Sequence, residues 1–356
     1  MKINKHIEIV SSTVRGLSSM SQRSRNAALA VLRKHYTHVN VSILNNLSDL
    51  ESLVALNPDL VFLGMEFVPA DEEMSLRGID KVWLSDYLDE YNIAYTGSSQ
   101  RAHELGRDKA LAKQRALDKG LSTSSFYVVR QNQSLTEPNN SLKFPLFVKP
   151  TNRGGGLGID SNSVVHNFAQ LQAKIQSIAT DFQSDSLIEE YLPGREFSVA
   201  ILRDRTMDTY SVMPIELVAP PNNKSGARFL SAEVKSSNTE QVIPVTDIIL
   251  KMRVTDLALS IFYALGARDY GRIDIRLDKS GTPHFLEVNP IPSLIEGYGS
   301  FPKACMLNIG MDYETMLLHI VKLGLSRGSH VPVSNIESIA TADVTITSLE
   351  PALDTV

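Results

Sequence analysis

The stretch from Tyr270 to Pro292 reads YGRIDIRLDKSGTPHFLEVNPIP, and it restricts the fold more than any other part of the chain. Two short runs of alternating apolar and charged residues flank DKSG, a good turn sequence, so the pair is expected to form two short strands joined by a tight turn. Side chains alternate across a strand, which sends Arg272, Asp274 and Arg276 to one face and Ile273, Ile275 and Leu277 to the other. The same rule sends Glu287 and Asn289 to one face and Leu286 and Val288 to the opposite one. If the apolar faces share a core, Asp274, Glu287 and Asn289 meet on the other side. Two carboxylates and an amide oxygen are hard ligands that suit Mg²⁺ in company with nucleotide phosphate oxygens. Arg272 beside them can neutralise a transferring phosphoryl group or a developing oxyanion. Taken alone, the stretch reads equally well as a solvent-facing hairpin with an ordinary charged surface.

Upstream, HIEIV, HVNVSIL and DLVFLGM are short β-branched runs that suit buried strands. SQRSRNAALAVLRKHY between the first two predicts a helix with Ser21 or Ser24 near its start. GIDKVWLSDYLDEYN reads as another helix, followed by a strand, IAYTG. Such alternation predicts a parallel sheet with helices on its faces. GRDKALAKQRALDKG predicts a helix that opens with Asp108 and closes at Gly120. QNQSLTEPNNS is a polar loop, KFPLFVKP a strand, and Asn167 to Ala179 a helix. SLIEEYLPGREFSVAIL reads as two strands around a Pro193–Gly194 turn. Leu250, Val254, Leu257, Ile261 and Leu265 share one helical face that stops at Gly266. A helix around Tyr313 to Leu325 follows the hairpin. Beyond Ser326 the pattern dissolves into a Ser/Thr/Val-rich tail, extended or disordered.

With 356 residues the chain is long enough for two or three domains. Its 35 basic and 40 acidic residues argue against a nucleic-acid partner while leaving room for a local basic pocket. Cys305 is the only cysteine, so no internal disulfide can form, which fits a reducing cytoplasm. The first residues carry no signal-peptide pattern, and no window is long and apolar enough for a membrane span.

FVKPTNRGGGLGID places Lys149 at a strand end, ahead of Gly154, Gly155, Gly156 and Gly158. Backbone amides uncovered by side chains approach phosphates closely, and a lysine supplies a point charge. No Gly-Lys-Ser/Thr follows, so this is not a Walker loop, and the spacing is not that of a dinucleotide fingerprint. LIEEYLPGREF adds an extended segment of Glu189, Glu190 and the backbone to Leu192, with Glu196 past the turn. Such a segment can pair the edge of an adenine while a carboxylate holds the ribose hydroxyls. Each feature alone also reads as a connector or an exposed hairpin. His6, His35, His38 and His103 lack ligand spacing and read as surface or packing residues, and Trp83 as helix packing. Met65 and Glu66 follow a predicted strand end, where α/β folds expose ligands, and are candidates to line an acceptor pocket.

Taken in order, TGSS…DK, FVKP…GGGLG, IEEYLPGREFSVAIL, GRIDIRLDKSG and FLEVNP resemble the ATP-grasp superfamily, in its D-alanine–D-alanine ligase branch, from about Tyr95 to about Pro302. The resemblance implies an α/β (α+β) ATP-grasp fold. A Rossmann-like parallel-sheet domain would span 1–105, a central subdomain with the glycine loop 106–185, a C-terminal subdomain with the metal site 186–325, and the tail 326–356. It further implies that Lys109 and Lys149 contact ATP phosphates, with Lys149 also near the adenine. Glu189 would meet the adenine edge, Glu190 to Leu192 would complete the hinge, and Glu196 would hold the ribose. The loop from Gly154 to Gly158 would fold over the β- and γ-phosphates, and Lys235 would sit near the transferred phosphate. Asp274, Glu287 and Asn289 would bind two Mg²⁺ ions, with Mn²⁺ as an alternative, and Arg272 would stabilise the tetrahedral intermediate. The implied reaction activates a carboxylate as an acyl phosphate, which an amine then converts to an amide, releasing ADP and phosphate. Such chemistry needs positioning and charge neutralisation more than a covalent nucleophile. The implied partners are small-molecule carboxylates and amines, with a homodimer as the assembly.

The chain also departs from the family pattern. IVSSTVRGLSS and FLGMEFVPADEEMSLRG lack the family's first-strand glutamate and its HGxxGEDG segment. Its tandem loop serines are Gly155 and Gly156 here, its aromatic residue after the lysine is Ser236, and NTxPGxT reads NPIPSLI. These departures fall where the first amino acid is held and the lid closes, not where ATP and metal bind. The expectation is a ligase of this branch that joins amino acids or small amino-acid-like substrates, either authentic D-alanine–D-alanine ligation or a related ligation in which the carboxylate or amine substrate is not D-alanine. The alternative is a catalytically altered ATP-binding scaffold or regulatory protein on the same fold.

Overall fold

The structure, a computed structural model, describes residues 1–14, 16–70, 80–133, 135, 142–221 and 227–327. The tail from 328 onward, most of the polar loop at 131–141 and the segment 71–79 lie outside the described residues.

Strand β1 (Ile3–Ser11), helix α1 (Gln22–His35), β2 (Tyr36–Ile43), α2 (Leu47–Ala55) and β3 (Leu60–Leu63) build a parallel sheet in the order β2-β1-β3. Ser21 caps α1 by accepting a hydrogen bond from the Ser24 amide at 3.2 Å, as an N-cap serine does. Strands β4 (Phe67–Pro69) and β5 (Lys81–Trp83) form a small antiparallel ladder ahead of α3 (Leu84–Glu90). The helix expected over GIDKVWLSDYLDEYN is therefore shorter. Val82 and Trp83 favour the strand by shape, and Trp83 meets the Phe67 ring edge to face at 5.6 Å. IAYTG does not form a strand and makes a single parallel bridge, Val61 to Tyr95.

Helices α4 (Gln100–Arg107) and α5 (Lys109–Asp118) meet at Asp108, where the expected helix opens. The Asp108 carboxylate accepts from the amides of Ala110 (2.9 Å) and Leu111 (3.1 Å), which starts α5 and complements its dipole. Strand β6 (Phe126–Val129), β7 (Leu146–Pro150), β8 (Val164–Val165), helix α6 (Phe168–Ser177) and β9 (Ser186–Glu190) supply an antiparallel sheet in the order β6-β9-β7-β8. Strands β10 (Glu196–Asp204) and β11 (Thr209–Val218), helix α7 (Ala232–Ser237), β12 (Gln241–Pro244), α8 (Ile248–Ala264), β13 (Tyr270–Leu277) and β14 (Pro283–Asn289) supply the next sheet, β12-β11-β10-β13-β14. Helices α9 (Ser300–Ile309) and α10 (Tyr313–Leu325) follow.

The two strands of SLIEEYLPGREFSVAIL do not pair with each other, because β9 and β10 belong to different sheets. The Pro193–Gly194 segment is thus a crossover between sheets, not a hairpin turn. Its end is fixed by Gly194, whose amide donates to the Leu277 carbonyl at 3.0 Å. A Cβ there would lie 2.6 Å from that same oxygen, so the close backbone approach requires glycine.

The five-stranded sheet has two unlike faces. Phe197, Val199 and Ile201 of β10 with Ile273, Ile275 and Leu277 of β13 pack under Leu250, Val254, Ala258, Ile261 and Phe262 of α8. Each Val, Leu, Ile or Phe among them contributes roughly 1.5–3 kcal/mol on burial. On the other face Ala200, Leu202, Met213, Ile215 and Tyr270 join α1, α9, α10 and the parallel sheet in a second core. That second face carries Glu196, Ser198, Arg272, Asp274 and Arg276 where the apolar residues stop. Alternation along β10 and β13 thus gives one apolar face and one that passes from core to polar site.

Replacing Asp108 with Ala is expected to lower stability by about 1 kcal/mol, whereas Asn, which can still cap, stays close to wild type. Urea denaturation measures both. An Asn variant as unstable as the Ala variant would show that capping is not what Asp108 contributes.

Candidate active site

Register builds the first half of the site. In the β13–β14 ladder Arg272 lies opposite Asn289 and Asp274 opposite Glu287. Arg272 forks onto Asp274 with Nε to Oδ1 at 2.9 Å and Nη2 to Oδ2 at 2.7 Å, a bidentate arrangement that fixes both side chains. Ser198 donates to Asp274 Oδ1 at 3.0 Å, and the Asn289 amide lies 3.5 Å from Oδ2. Lys109 Nζ stands 3.4 Å from Glu287 Oε2 and donates to the Arg153 carbonyl at 2.7 Å. Burial alone would raise the Glu287 carboxyl, but Lys109, Lys235, Lys149 and Arg272 together hold it far below its ordinary value. Burial also pushes the Lys109 ammonium down. The expected convergence of Arg272, Asp274, Glu287 and Asn289 holds. One detail differs: the register shifts after Asp274, so Ile275 pairs with Phe285 and Leu286 becomes the extra residue. Phe285 takes the core side, and Leu286 lines the cleft beside Glu287 instead of facing away from it.

The second half is a cleft of about 590 Å³, mouth included, between the antiparallel four-stranded sheet and the five-stranded one. Phe147, Ile159, Phe229, Leu230 and Leu286 give it an apolar wall, and Lys149, Glu189, Glu196, Lys235, Asp274 and Glu287 give it a polar one. Phe147 and Phe229 meet edge to face at 5.6 Å. Glu190 and Leu192 also line it, at the start of the crossover. Lys235 sits on α7, whose backbone carbonyl at that residue accepts from the Tyr298 hydroxyl. The glycine loop flanks the cleft. Gly155, Gly156 and Gly158 have φ of +65°, +80° and +78°, and a Cβ on Gly156 would come within 3.0 Å of the Ala232 amide nitrogen. The loop therefore lies against the start of α7, close to Lys235.

Glu189, the residue expected at a base edge, lines the cleft between two lysines. Its carboxylate is 2.6 Å from Lys149 Nζ and 2.8 Å from Lys113 Nζ, and its Oε2 accepts from Ser124 at 3.0 Å. Burial would raise it, yet the two lysines bring it down to about 2. Glu196 is also engaged: Arg276 Nη1 donates to its Oε2 at 2.6 Å, while Arg276 Nε donates to the Leu192 carbonyl at 2.6 Å and Nη2 to the Arg228 carbonyl. Burial raises the Glu196 carboxyl in spite of that partner.

Lys113 and Arg276 were not among the expected site residues. Both had a signal in spacing. Lys113 follows Lys109 by one helical turn on α5, and Arg276 follows Asp274 on the same strand face.

Beyond the end of β3, Met65 is wholly buried in the apolar core. Glu66 pairs with Arg107 at 3.1 Å, with the buried His103 3.8 Å away. Arg107 immediately precedes the Asp108–Lys109 pair, and a Cβ on Gly106 would touch Pro290 at 2.7 Å. This cluster therefore borders the Lys109–Glu287 end of the site.

Among the described residues no group of three His, Cys, Asp or Glu side chains gathers as a metal cluster. The donors at β13–β14 are two carboxylates and an amide. An all-oxygen set of this kind, left short of ligands, fits a hard divalent cation that completes its shell with phosphate oxygens and water.

Comparison with known proteins places this architecture. A family model described as D-ala D-ala ligase C-terminus matches residues 117–322. The uncharacterized protein y4sG of Sinorhizobium fredii is 31% identical over 67% of this chain and 69% of its own. The D-alanine–D-alanine ligase of Hydrogenovibrio crunogenus is 30% identical over 67% and 72%, and that of Alcanivorax borkumensis 29% over 78% and 90%. The crystal structure of D-alanine–D-alanine ligase from Bacillus anthracis complexed with ATP superposes with a TM-score of 0.70 at 21% identity, covering 91% of this chain and 99% of that one.

Arg276→Leu leaves the largely buried Glu196 without its cation, so unfolding free energy should fall by about 3 kcal/mol or more. Adding Glu196→Leu should recover much of that loss, since no uncompensated charge then remains. Chemical denaturation of the four proteins of the cycle decides, and a loss under about 1 kcal/mol for Arg276→Leu would show that the pair does not hold the crossover.

Proposed function

The chain belongs to the D-alanine–D-alanine ligase family, on the ATP-grasp fold, and from this premise we propose that it joins a carboxylate to an amine at the cost of ATP, releasing ADP and phosphate. The observation that carries the reading is the Asp274–Glu287 pair, set across one ladder and ringed by Arg272, Lys109, Lys149 and Lys235 at the end of an apolar cleft. A nucleoside triphosphate matches both ends of that cleft: an apolar slot for the base and a cationic end for the phosphates.

In this reading the adenine lies between Phe147, Ile159 and Leu286, against the backbone from Glu190 to Leu192. Glu196 receives the ribose, and the glycine loop with Lys109 and Lys149 holds the phosphates. Asp274, Glu287 and Asn289 hold divalent metal, two Mg²⁺ ions with Mn²⁺ as a substitute, and such metal supplies neutralisation of the charge on the phosphate oxygens. A substrate carboxylate oxygen forms a bond to the γ-phosphorus while the bond from that phosphorus to ADP breaks. The resulting acyl phosphate is attacked at its carbonyl carbon by an amine. A carbon–nitrogen bond forms, phosphate leaves with the former carboxylate oxygen, and the amine gives up a proton. Lys235 faces the transferring phosphoryl group and Arg272 the oxyanion, each acting by charge already in place. The substrates are small amino-acid-like molecules. Because the residues around Glu66 and Ser293 differ from the family pattern, we take the acceptor to differ from D-alanine. We read the chain as working in the cytoplasm as a homodimer, without nucleic acid; no helix among the described residues is long and apolar enough to cross a membrane.

The test is ADP release over D- and L-amino acids and small carboxylates, followed by product mass. A substrate carrying ¹⁸O in its carboxylate should deliver one ¹⁸O to the released phosphate. Vigorous D-alanyl-D-alanine synthesis would refute the altered acceptor, and nucleotide binding without ADP formation across the panel would favour a scaffold. Glu287→Gln should lower turnover at least ~100-fold with the circular dichroism spectrum intact, because a metal ligand is worth no less than its outer partners; unchanged turnover would overturn the metal assignment.

A further inference from the structure

Lys113 is the least exposed charged side chain near the cleft, at 0% accessibility, and the reaction described above gives it no task. Its ammonium sits at 2.8 Å from Glu189 Oε2, Thr123 Oγ1 and Ser124 Oγ, and at 3.4 Å from the Phe285 carbonyl. The neighbours are fixed in turn. Thr123 Oγ1 donates to the Phe285 carbonyl at 2.7 Å, and Ser124 Oγ donates to Glu189 Oε2 at 3.0 Å. Both hydroxyls therefore spend their protons elsewhere and present lone pairs to Lys113. Such a cage accepts a charged donor and no neutral side chain of the same length.

The cage connects two regions. Lys113 lies one turn beyond Lys109 on α5, and the two lysines reach different sheets. Lys109 approaches Glu287 on β14, while Lys113 grips Glu189 on β9. Glu189 is shared, because Lys149 takes its Oε1 at 2.6 Å. Without Lys113, Oε2 would keep only the Ser124 hydroxyl and could swing into the cleft. A carboxylate there would repel the phosphates and offer a base an acceptor that the backbone slot does not.

Resting on the nucleotide reading above, we propose that Lys113 is a positioning residue for the nucleotide: it holds the Glu189 carboxylate back against the cleft wall and thereby sets Lys149 against the nucleotide. Burial brings the Lys113 ammonium down to about 8, with Glu189 opposing that fall, consistent with a cation held in place by its partner.

The experiment compares steady-state kinetics of wild type, Lys113→Met, Glu189→Gln and the double variant with ATP as the varied substrate. Lys113→Met should raise KM for ATP at least ~10-fold, the size of one charge-assisted hydrogen bond. It should leave kcat within about threefold and the KM for the amino-acid substrate unmoved, since catalytic groups keep their places. The double variant should show a KM for ATP close to that of Glu189→Gln alone, because Lys113 acts through Glu189. A purely structural lysine would lower the melting temperature while leaving KM for ATP unchanged, and that result overturns the proposal. Additive effects of the two substitutions overturn it as well. Should Lys113→Met not accumulate as folded protein, Thr123→Val, which removes one of the acceptors that fix Lys113, should raise the KM for ATP in its place, and an unchanged KM there overturns the proposal. If wild type shows no ATP dependence, the nucleotide reading fails and this inference with it; if wild type is ATP-dependent and Lys113→Met keeps its KM, this inference alone fails.

Discussion

Asp274 and Glu287 face each other across the β13–β14 ladder, and two carboxylates at cross-strand distance repel. At roughly 5 Å and an effective dielectric near 20 the repulsion is ~3 kcal/mol, so the pairing depends on the cations around it. Those cations come from four elements: Arg272 from β13, Lys109 from α5, Lys149 from β7 and Lys235 from α7. Placing them there requires the crossover at Gly194, the start of α5 at Asp108 and the docking of the glycine loop on α7. The site is thus a balance of charge in which no member is placed independently. In the proposed reaction the same cations that hold the two acids together also hold a triphosphate.

The cleft is organised by a second set of buried pairs. Glu189 between Lys113 and Lys149, and Glu196 beneath Arg276, are desolvated acids with their cations supplied from neighbouring strands and α5. Removing one partner from such a pair costs more than the pair contributes, which gives the cleft a defined shape. Arg276 also binds the carbonyls of Leu192 and Arg228, so one side chain ties the crossover to the segment that leads into α7.

Much of this was legible in the sequence where a local rule governs. The parallel sheet, the capping of α1 and α5, the apolar face of α8 and the meeting of Asp274 with Glu287 all follow from periodicity and end signals. The parts that were not legible depend on contacts distant in sequence. Nothing local in SLIEEYLPGREFSVAIL says that its strands enter different sheets; that is decided by Gly194 packing on Leu277. The shift that turns Leu286 into the cleft is a property of the ladder, not of the strand. A lysine on a helix normally points to water, so the spacing of Lys113 from Lys109 gains its meaning only when Glu189 and two hydroxyls are seen around it. Helix α9 and strands β11 and β12 have mixed apolar patterns that gain their meaning from the faces they cover.

The segment after β3 departs from the family's sequence pattern. Glu66, His103 and Arg107 stand there beside the Lys109 end of the site, in the region where the family pattern is absent from the sequence. In the proposed reading, a nucleotide half built on paired charges stands beside an acceptor half whose sequence departs from the family pattern. The central claim is that the acids of β13 and β14 serve a metal–nucleotide complex. Calorimetric titration of the wild-type chain with a non-hydrolysable ATP analogue, with Mg²⁺ and again with a chelator, tests it most directly. Saturable binding that depends on Mg²⁺ is the expected result. Equal affinity in the chelator, or no binding in the presence of Mg²⁺, would contradict it.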